Sequence, residues 1–286
     1  MIRKAVFPVA GLGTRMLPAT KAIPKELLPV VDKPIIQYAF EETRAAGIEH
    51  IIFVTGRGKS VIEDHFDRAY ELDDALVKKG KLAELDSVSS WVPLPGELSY
   101  TRQQEPLGLG HAVWCARELV GDEPFAVVLV DDLIRSEVPC LQQMVAAHAE
   151  TGGNIVAVEE VAREHTDRYG VLDPAADDGR LVEVKGLVEK PEPARAPSRL
   201  AIIGRYILMP EVFEHLARQQ KGAGGEIQLT DAMARMIGRT PFHGLRFAGR
   251  RFDCGARLGY LEAIVACALE REDLRTPMRA ILERHR

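Results

Sequence analysis

The chain has 286 residues, 46% of them hydrophobic and 28% charged, with a formal net charge of −5. These figures exclude collagen-like and disordered classes and leave room for one large α/β domain or two small ones. No basic excess exists for bulk nucleic-acid binding, and the mid-chain apolar run 125–130 falls far below the roughly 18 residues a membrane span needs.

The charge is unevenly placed. The first 33 residues hold Arg3, Lys4, Arg15, Lys21, Lys25 and Lys33 against Glu26 and Asp32, making this segment +4 and the remainder −9. Pro8 and Gly11 interrupt any signal-peptide apolar region, so a cytoplasmic protein is expected. Cys115, Cys140, Cys254 and Cys267 show no C-x-x-C spacing and the eight histidines are scattered. A metal, if used, is therefore expected on carboxylates, as a hard cation such as Mg²⁺.

In chain order, residues 5–9 read as a buried strand, followed by a Gly/Pro/Lys loop that its prolines keep extended. Residues 35–46 have helical period, and His50–Thr55 is a second strand. Residues 60–79 form a long amphipathic helix with Val61, Ile62, Phe66, Ala69, Leu72 and Leu76 on one face. Residues 79–99 are an ordered insertion. A strand near 99–103 precedes a helix over 110–119, and 125–130 is the most strand-like run in the chain. Residues 154–161 are a strand, 169–188 a hairpin around Asp177-Asp178-Gly179, and 201–208 a strand. Helices over 210–220, 227–237 and 259–270 enclose a strand at 242–247. An amphipathic helix over 272–286 packs on the core or on a partner subunit. This alternation implies an α/β, doubly wound, mainly parallel (mixed) sheet in a single large domain, whose two halves line one cleft.

The first strand runs into Ala10-Gly11-Leu12-Gly13-Thr14-Arg15-Met16-Leu17-Pro18. A dinucleotide fingerprint would need glycine where Met16 stands, and a helix where the prolines stand. Gly56-Arg57-Gly58-Lys59-Ser60 ends like a P-loop but has Phe53 where that motif needs glycine. What remains is Arg15, Lys21 and Lys25 along a loop stiffened by Pro18, Pro24 and Pro29. Stiffening limits the entropy lost when three cations converge on one polyanion, which points to phosphate binding.

From Gly11 to Pro18, then Thr20-Lys21 and Pro24-Lys25-Glu26, the chain resembles the sugar-phosphate nucleotidyltransferases, in particular the bacterial UTP–glucose-1-phosphate uridylyltransferases. Further matching runs are Thr55-Gly56-Arg57-Gly58-Lys59, Gly108-Leu109-Gly110-His111-Ala112-Val113, Glu189-Lys190-Pro191, Ile203-Gly204-Arg205-Tyr206, Gly224 through Asp231, and Phe252-Asp253-Cys254-Gly255. They cover about residues 3–270 in the expected order. The resemblance implies UTP and glucose 1-phosphate as substrates, Mg²⁺ as cofactor, and no nucleic acid or membrane. It assigns 1–134 mainly to the nucleotide, 135–270 mainly to the sugar and 271–286 to a C-terminal helix; a homo-oligomer, dimer or tetramer, is also expected.

Residue by residue, the resemblance places Ala10, Gly11, Gly13, Thr14 and Glu26 at the nucleotide, with Arg15 and Lys25 on its phosphates. Gln103 and Gly108 would read the base, since an amide can donate and accept at once as the imide edge of uracil requires. Glu189, Glu226, Gly170 and Gly204 would contact the sugar and Lys190 its phosphate. Asp131, at the end of the strand over 125–130, and Asp253, beside Gly255, would hold Mg²⁺ with phosphate oxygens and water completing its shell. Asp132 reads as a supporting partner or a turn residue. Val130 stands where the family commonly has proline, which implies a small change in strand-end geometry.

Overall fold

The computed structural model describes residues 1–285. Alternation along its first strands decides how the sheet is covered. Ala5, Phe7, Ile51, Phe53, Ala126 and Val128 face one apolar layer, while Val6, Ile52, Val54, Phe125 and Val127 face the other. Helices Ile35–Ala45, Ser60–Phe66 and Cys140–Thr151 cover the first layer through Phe40, Phe66 and Met144. Helices Leu109–Cys115, Val212–Leu216 and Leu229–Ala234 cover the second through Val113, Leu216 and Met233. Phe7, Phe53 and Phe125 are each fully buried, worth roughly 1.5–3 kcal/mol apiece.

The nine-stranded sheet runs Leu98–Arg102, His50–Thr55, Lys4–Pro8, Phe125–Val128, Leu200–Leu208, Asn154–Glu160, Phe242–Arg246, Leu181–Glu189, Gly170–Asp177. "Mainly parallel" needs correcting. The first four strands pair in parallel, as do Phe242–Arg246 and Asn154–Glu160, but the other neighbouring pairs are antiparallel. The physical reason is connection type. It accounts for the hairpin Gly170–Asp177/Leu181–Glu189, whose three-residue connection can join only antiparallel strands, while the other antiparallel pairs bring together strands distant in the chain.

A second, two-stranded sheet escaped the sequence reading. Asp132–Arg135 pairs antiparallel with Arg250–Asp253, in a register that sets Asp253 opposite Asp132. Its Leu133 and Phe252 pack with Leu28, Val30 and Ile35, so a third apolar cluster fastens the base of the glycine loop to this strand pair. Asp131 and Asp253 thereby reach the same end of the sheet.

Other corrections are local. The helix expected over 60–79 breaks into Ser60–Phe66 and Tyr70–Lys78, because Asp67 is extended and its carboxylate accepts the Arg68 N–H at 2.8 Å. Only Ile62 and Phe66 of the expected apolar face are buried. The helix over 110–119 is two abutting helices, Leu109–Cys115 and Arg117–Val120, and those over 210–220 and 227–237 shorten to Val212–Leu216 and Leu229–Ala234. Glu272–Arg284 forms the final helix, which packs along Arg257–Glu270 and buries no residue fully; residue 286 lies outside the described residues. Among the described residues, no helix is long and apolar enough to cross a membrane.

Candidate active site

The glycine loop is not extended. It folds into three 3₁₀ turns, Thr14–Met16, Ala19–Lys21 and Lys25–Leu27, with Pro18 and Pro24 immediately preceding the last two. Proline's fixed φ suits the residue entering such a turn as well as it suits an extended strand. Gly13 takes φ +66°, and a Cβ there would lie 3.2 Å from the Lys25 Cβ and 3.3 Å from that of Thr20. Glycine is thus what lets the loop close on itself, and Thr20 Oγ1 seals it by donating to the Gly13 carbonyl at 2.7 Å.

The closed loop aims Lys25 at Asp131, Nζ to Oδ2 at 2.5 Å, with the Arg15 guanidinium 3.7 Å from the same oxygen. Burial works to raise the Asp131 carboxyl, but Lys25 and Arg15 outweigh it and hold it below the usual carboxylate range. Burial likewise works to lower Lys25, and Asp131 and Glu26 outweigh it, so Lys25 remains a cation. Lys21 is exposed and lies outside the cleft. Glu26 is also not where the resemblance placed it. It lines neither side of the cleft, being 1% exposed and bonded to Lys59 Nζ at 2.7 Å, and its Oε1 has no partner. The Gly56–Ser60 stretch therefore serves the loop from beneath by supplying Lys59.

Asp131 does not end a strand. The strand stops at Val128, and Asp131 occupies the turn before Asp132–Arg135. Its carbonyl accepts the Cys254 N–H at 2.8 Å, which ties the two carboxylate-bearing segments together. A Cβ on Gly255 would lie 2.9 Å from Asp131 Oδ2, 3.0 Å from Asp253 Oδ1 and 2.7 Å from the Arg15 guanidinium. Both carboxylates thus border Gly255, and paired carboxylate oxygens suit a hard cation whose remaining ligands come from substrate and water. Asp132 begins the following strand, and its carboxylate is taken up by neighbours: Oδ1 accepts from Arg251 Nε at 2.5 Å and Oδ2 from the Gly204 N–H at 2.9 Å.

Two adjoining cavities flank the carboxylates, of about 540 Å³ and 410 Å³, sharing Leu109, Leu129, Asp131 and Glu226. Ala10, Gly11, Gly13, Thr14, Lys25, Gln103 and Gly108 line the smaller one. Gln103 is buried with its amide nitrogen committed to the Gly108 carbonyl at 2.9 Å and to His111 Nδ1 at 3.1 Å. It does not donate and accept toward a ligand at once, because both N–H groups are spent; only Oε1 is left to accept. Gly108 is glycine because a Cβ at its φ of +110° would come within 2.8 Å of Glu226 Cβ and the Ile227 carbonyl.

Arg15, Gly170, Glu189, Lys190, Gly204, Glu226 and Asp253 line the larger cavity. Lys190 holds φ +48°, a region sparsely used by non-glycine residues, and its Nζ stands 3.5 Å from Glu189 Oε1. The space a Cβ would need at Gly204 is taken by Asp132 and Leu129, and at Gly170 by Thr230, so protein packing alone requires both glycines.

Comparison with known proteins places the chain in a family. Residues 4–268 match the family described as nucleotidyl transferase. The chain belongs to that family. It is 53% identical over 257 residues, 90% of each chain, to the UTP–glucose-1-phosphate uridylyltransferase of Komagataeibacter xylinus. The UTP-bound UGPase of Acinetobacter baumannii superposes with a TM-score of 0.91 at 40% identity, covering 99% of each chain. A UDP-glucose pyrophosphorylase complexed with UDP-glucose superposes at 0.84 with 44% identity, covering 95% of this chain and all of that one.

In this nucleotidyltransferase, Arg168, Tyr169, Tyr206, Thr230 and Arg251 also line the larger cavity; the sequence assigns a role to none of them, although Tyr206 and Thr230 fall within matching runs. Arg251 lay within reach of detection, two residues before Asp253 on the same short strand, but its signal depended on a pairing that periodicity does not reveal. Gly255→Ala puts a methyl group between Arg15, Asp131 and Asp253, and is expected to lower kcat at least about tenfold, roughly 1.4 kcal/mol of barrier. Steady-state kinetics beside a thermal melt checks this; unchanged kcat would contradict the crowding.

Proposed function

We propose that this chain transfers the uridylyl group of UTP to glucose 1-phosphate, giving UDP-glucose and pyrophosphate. One observation carries the reading: the two cavities meet at Asp131, with Lys25 lining the smaller, Lys190 the larger, and Arg15, from the glycine loop, lining the larger one 3.7 Å from the Asp131 carboxylate. Three cations therefore bracket the point where two phosphate groups would have to meet. The related proteins named above carry the same activity in their names or hold UTP or UDP-glucose.

The chemistry asks little of the protein covalently. A phosphate oxygen of glucose 1-phosphate attacks the UTP α-phosphorus in line, the bond to the β-phosphate bridging oxygen breaks, and pyrophosphate leaves with that electron pair. The nucleophile is already an anion, so no general base is needed. The barrier lies in orienting two polyanions and offsetting their repulsion, which is electrostatic catalysis. Arg15 and Lys25 hold the UTP phosphates and Lys190 the attacking phosphate. Gln103 Oε1 accepts from the base N–H, and Glu189 accepts from sugar hydroxyls, so an analogue lacking one leaves a buried acceptor unpaired. Asp131 and Asp253 would hold Mg²⁺, which when bound supplies charge neutralisation for the leaving pyrophosphate.

A pyrophosphate-release assay pairing UTP, dTTP and CTP with glucose 1-phosphate tests this reading. UTP is expected to exceed dTTP in kcat/KM by about tenfold or more, since dTTP adds a 5-methyl group and lacks the 2′-hydroxyl, and a misfitted methyl alone is worth roughly 1–3 kcal/mol. Equal or faster use of dTTP would overturn the uridylyl assignment.

A further inference from the structure

Arg205 is fully buried and takes no part in the mechanism above. Its five N–H groups are all spent. Nε donates to Glu42 Oε1 at 3.1 Å, and one terminal nitrogen donates to Glu42 Oε2 at 2.7 Å and to the Asp132 carbonyl at 3.0 Å. The other terminal nitrogen donates to the carbonyls of Leu129 and Gly204, each at 2.9 Å. Glu42, from helix Ile35–Ala45, also accepts the Leu141 N–H at 3.1 Å and so joins helix Cys140–Thr151 to the same knot.

A buried guanidinium needs acceptors for all five N–H groups, and here three of the acceptors are the carbonyls that frame the turn carrying Asp131. Leu129 and Asp132 bracket Asp131 in the chain, and Gly204 both accepts the Leu129 N–H and donates to the Asp132 carboxylate. The turn presenting Asp131 is thus held by arginine from one side, while the Asp131 carbonyl is held by Cys254, next to Asp253. Lysine could not do this: its ammonium is a single point, whereas the planar guanidinium meets a carboxylate on one edge and carbonyls on the others. We infer that Arg205 and Glu42 are a positioning pair that sets the separation of the Asp131 and Asp253 carboxylates through the backbone, and so sets the affinity for the divalent cation. This rests on the reading of those aspartates as cation ligands.

Mn²⁺ binding to the protein–UTP complex, read by water-proton relaxation, tests the inference together with kcat and the KM for UTP. In R205K, Mn²⁺ affinity and kcat are expected to fall 10–100-fold, the usual effect of removing a partner that orients a metal ligand, with KM for UTP moving far less. Met144→Ala, a cavity in the layer covered by Cys140–Thr151, serves as control; it should lower the melting temperature and leave Mn²⁺ affinity unchanged. If R205K melts lower but binds Mn²⁺ like the parent, the inference is overturned. Should R205K fail to fold, Glu42→Gln keeps an acceptor in place, removes the charge that orients the guanidinium, and carries the same two readings. Asp131→Asn separates the layers of the argument: retained Mn²⁺ binding there sinks the ligand reading, whereas lost binding there with normal R205K sinks the positioning pair alone.

Discussion

Asp131→Asn is expected to lower kcat by on the order of 10³-fold at ordinary Mg²⁺ concentrations, the scale seen when a preorganised electrostatic group is removed from a reacting centre. The substitution keeps size and shape but removes the charge and turns one acceptor oxygen into a donor. It also leaves Lys25 without its counter-ion. The pair is about one-fifth exposed at each side chain, which puts the stability cost at roughly 1–3 kcal/mol, short of unfolding a domain of ordinary stability. The pH dependence follows from the sign of the shift. Because the folded protein holds the Asp131 carboxyl below its ordinary value of 3.8, the contribution is complete above that value and is lost as pH falls through the depressed one. Urea melts should therefore show the parent–variant gap fully open at pH 7 and closing below about pH 3.8. Turnover retained at millimolar Mg²⁺ would remove Asp131 from the site.

Lys190→Ala is expected to lower kcat/KM for glucose 1-phosphate by roughly 10- to 100-fold, the worth of one charge-assisted hydrogen bond of about 1.5–3 kcal/mol. UTP affinity, measured by calorimetry without the sugar, should stay within about twofold, a difference well under 1 kcal/mol. The side chain is half exposed, and its ion-pair partner among the described residues is the adjacent Glu189, so stability should shift by no more than about 0.5 kcal/mol. Alanine inherits the same positive φ, so the comparison isolates the ammonium. Collapse of UTP affinity with unchanged sugar kinetics would place Lys190 on the wrong substrate.

How much of this was readable in the sequence depends on what each feature rests upon. Gly13, Lys25, Asp131 and Asp253 could be named from the resemblance, which follows residue order rather than packing, and the structure brings all four to the two adjoining cavities. The strands at the start of the chain were legible from apolar runs. Strand sense was not, because a continuous apolar run such as 200–208 is equally at home in parallel and antiparallel surroundings. The strand Asp132–Arg135 escaped because it begins with an aspartate whose charge is satisfied by Arg251, a contact 119 positions away. Glu26 and Gln103 show the other limit. Residue type told what each can bond, but Lys59, Gly108 and His111 had already claimed those bonds inside the fold. Arg205 was visible only as part of a matching run, and its role needed three dimensions.

The most direct test is to run the reaction with UTP carrying a single sulfur-for-oxygen stereocentre at the α-phosphorus and to determine the configuration of the UDP-glucose analogue formed. One in-line attack by glucose 1-phosphate predicts product formed one-for-one with pyrophosphate and with inverted configuration. Retention would require two displacements through a covalent nucleotidyl–protein species. That result, or the absence of any UDP-glucose analogue, would contradict the account.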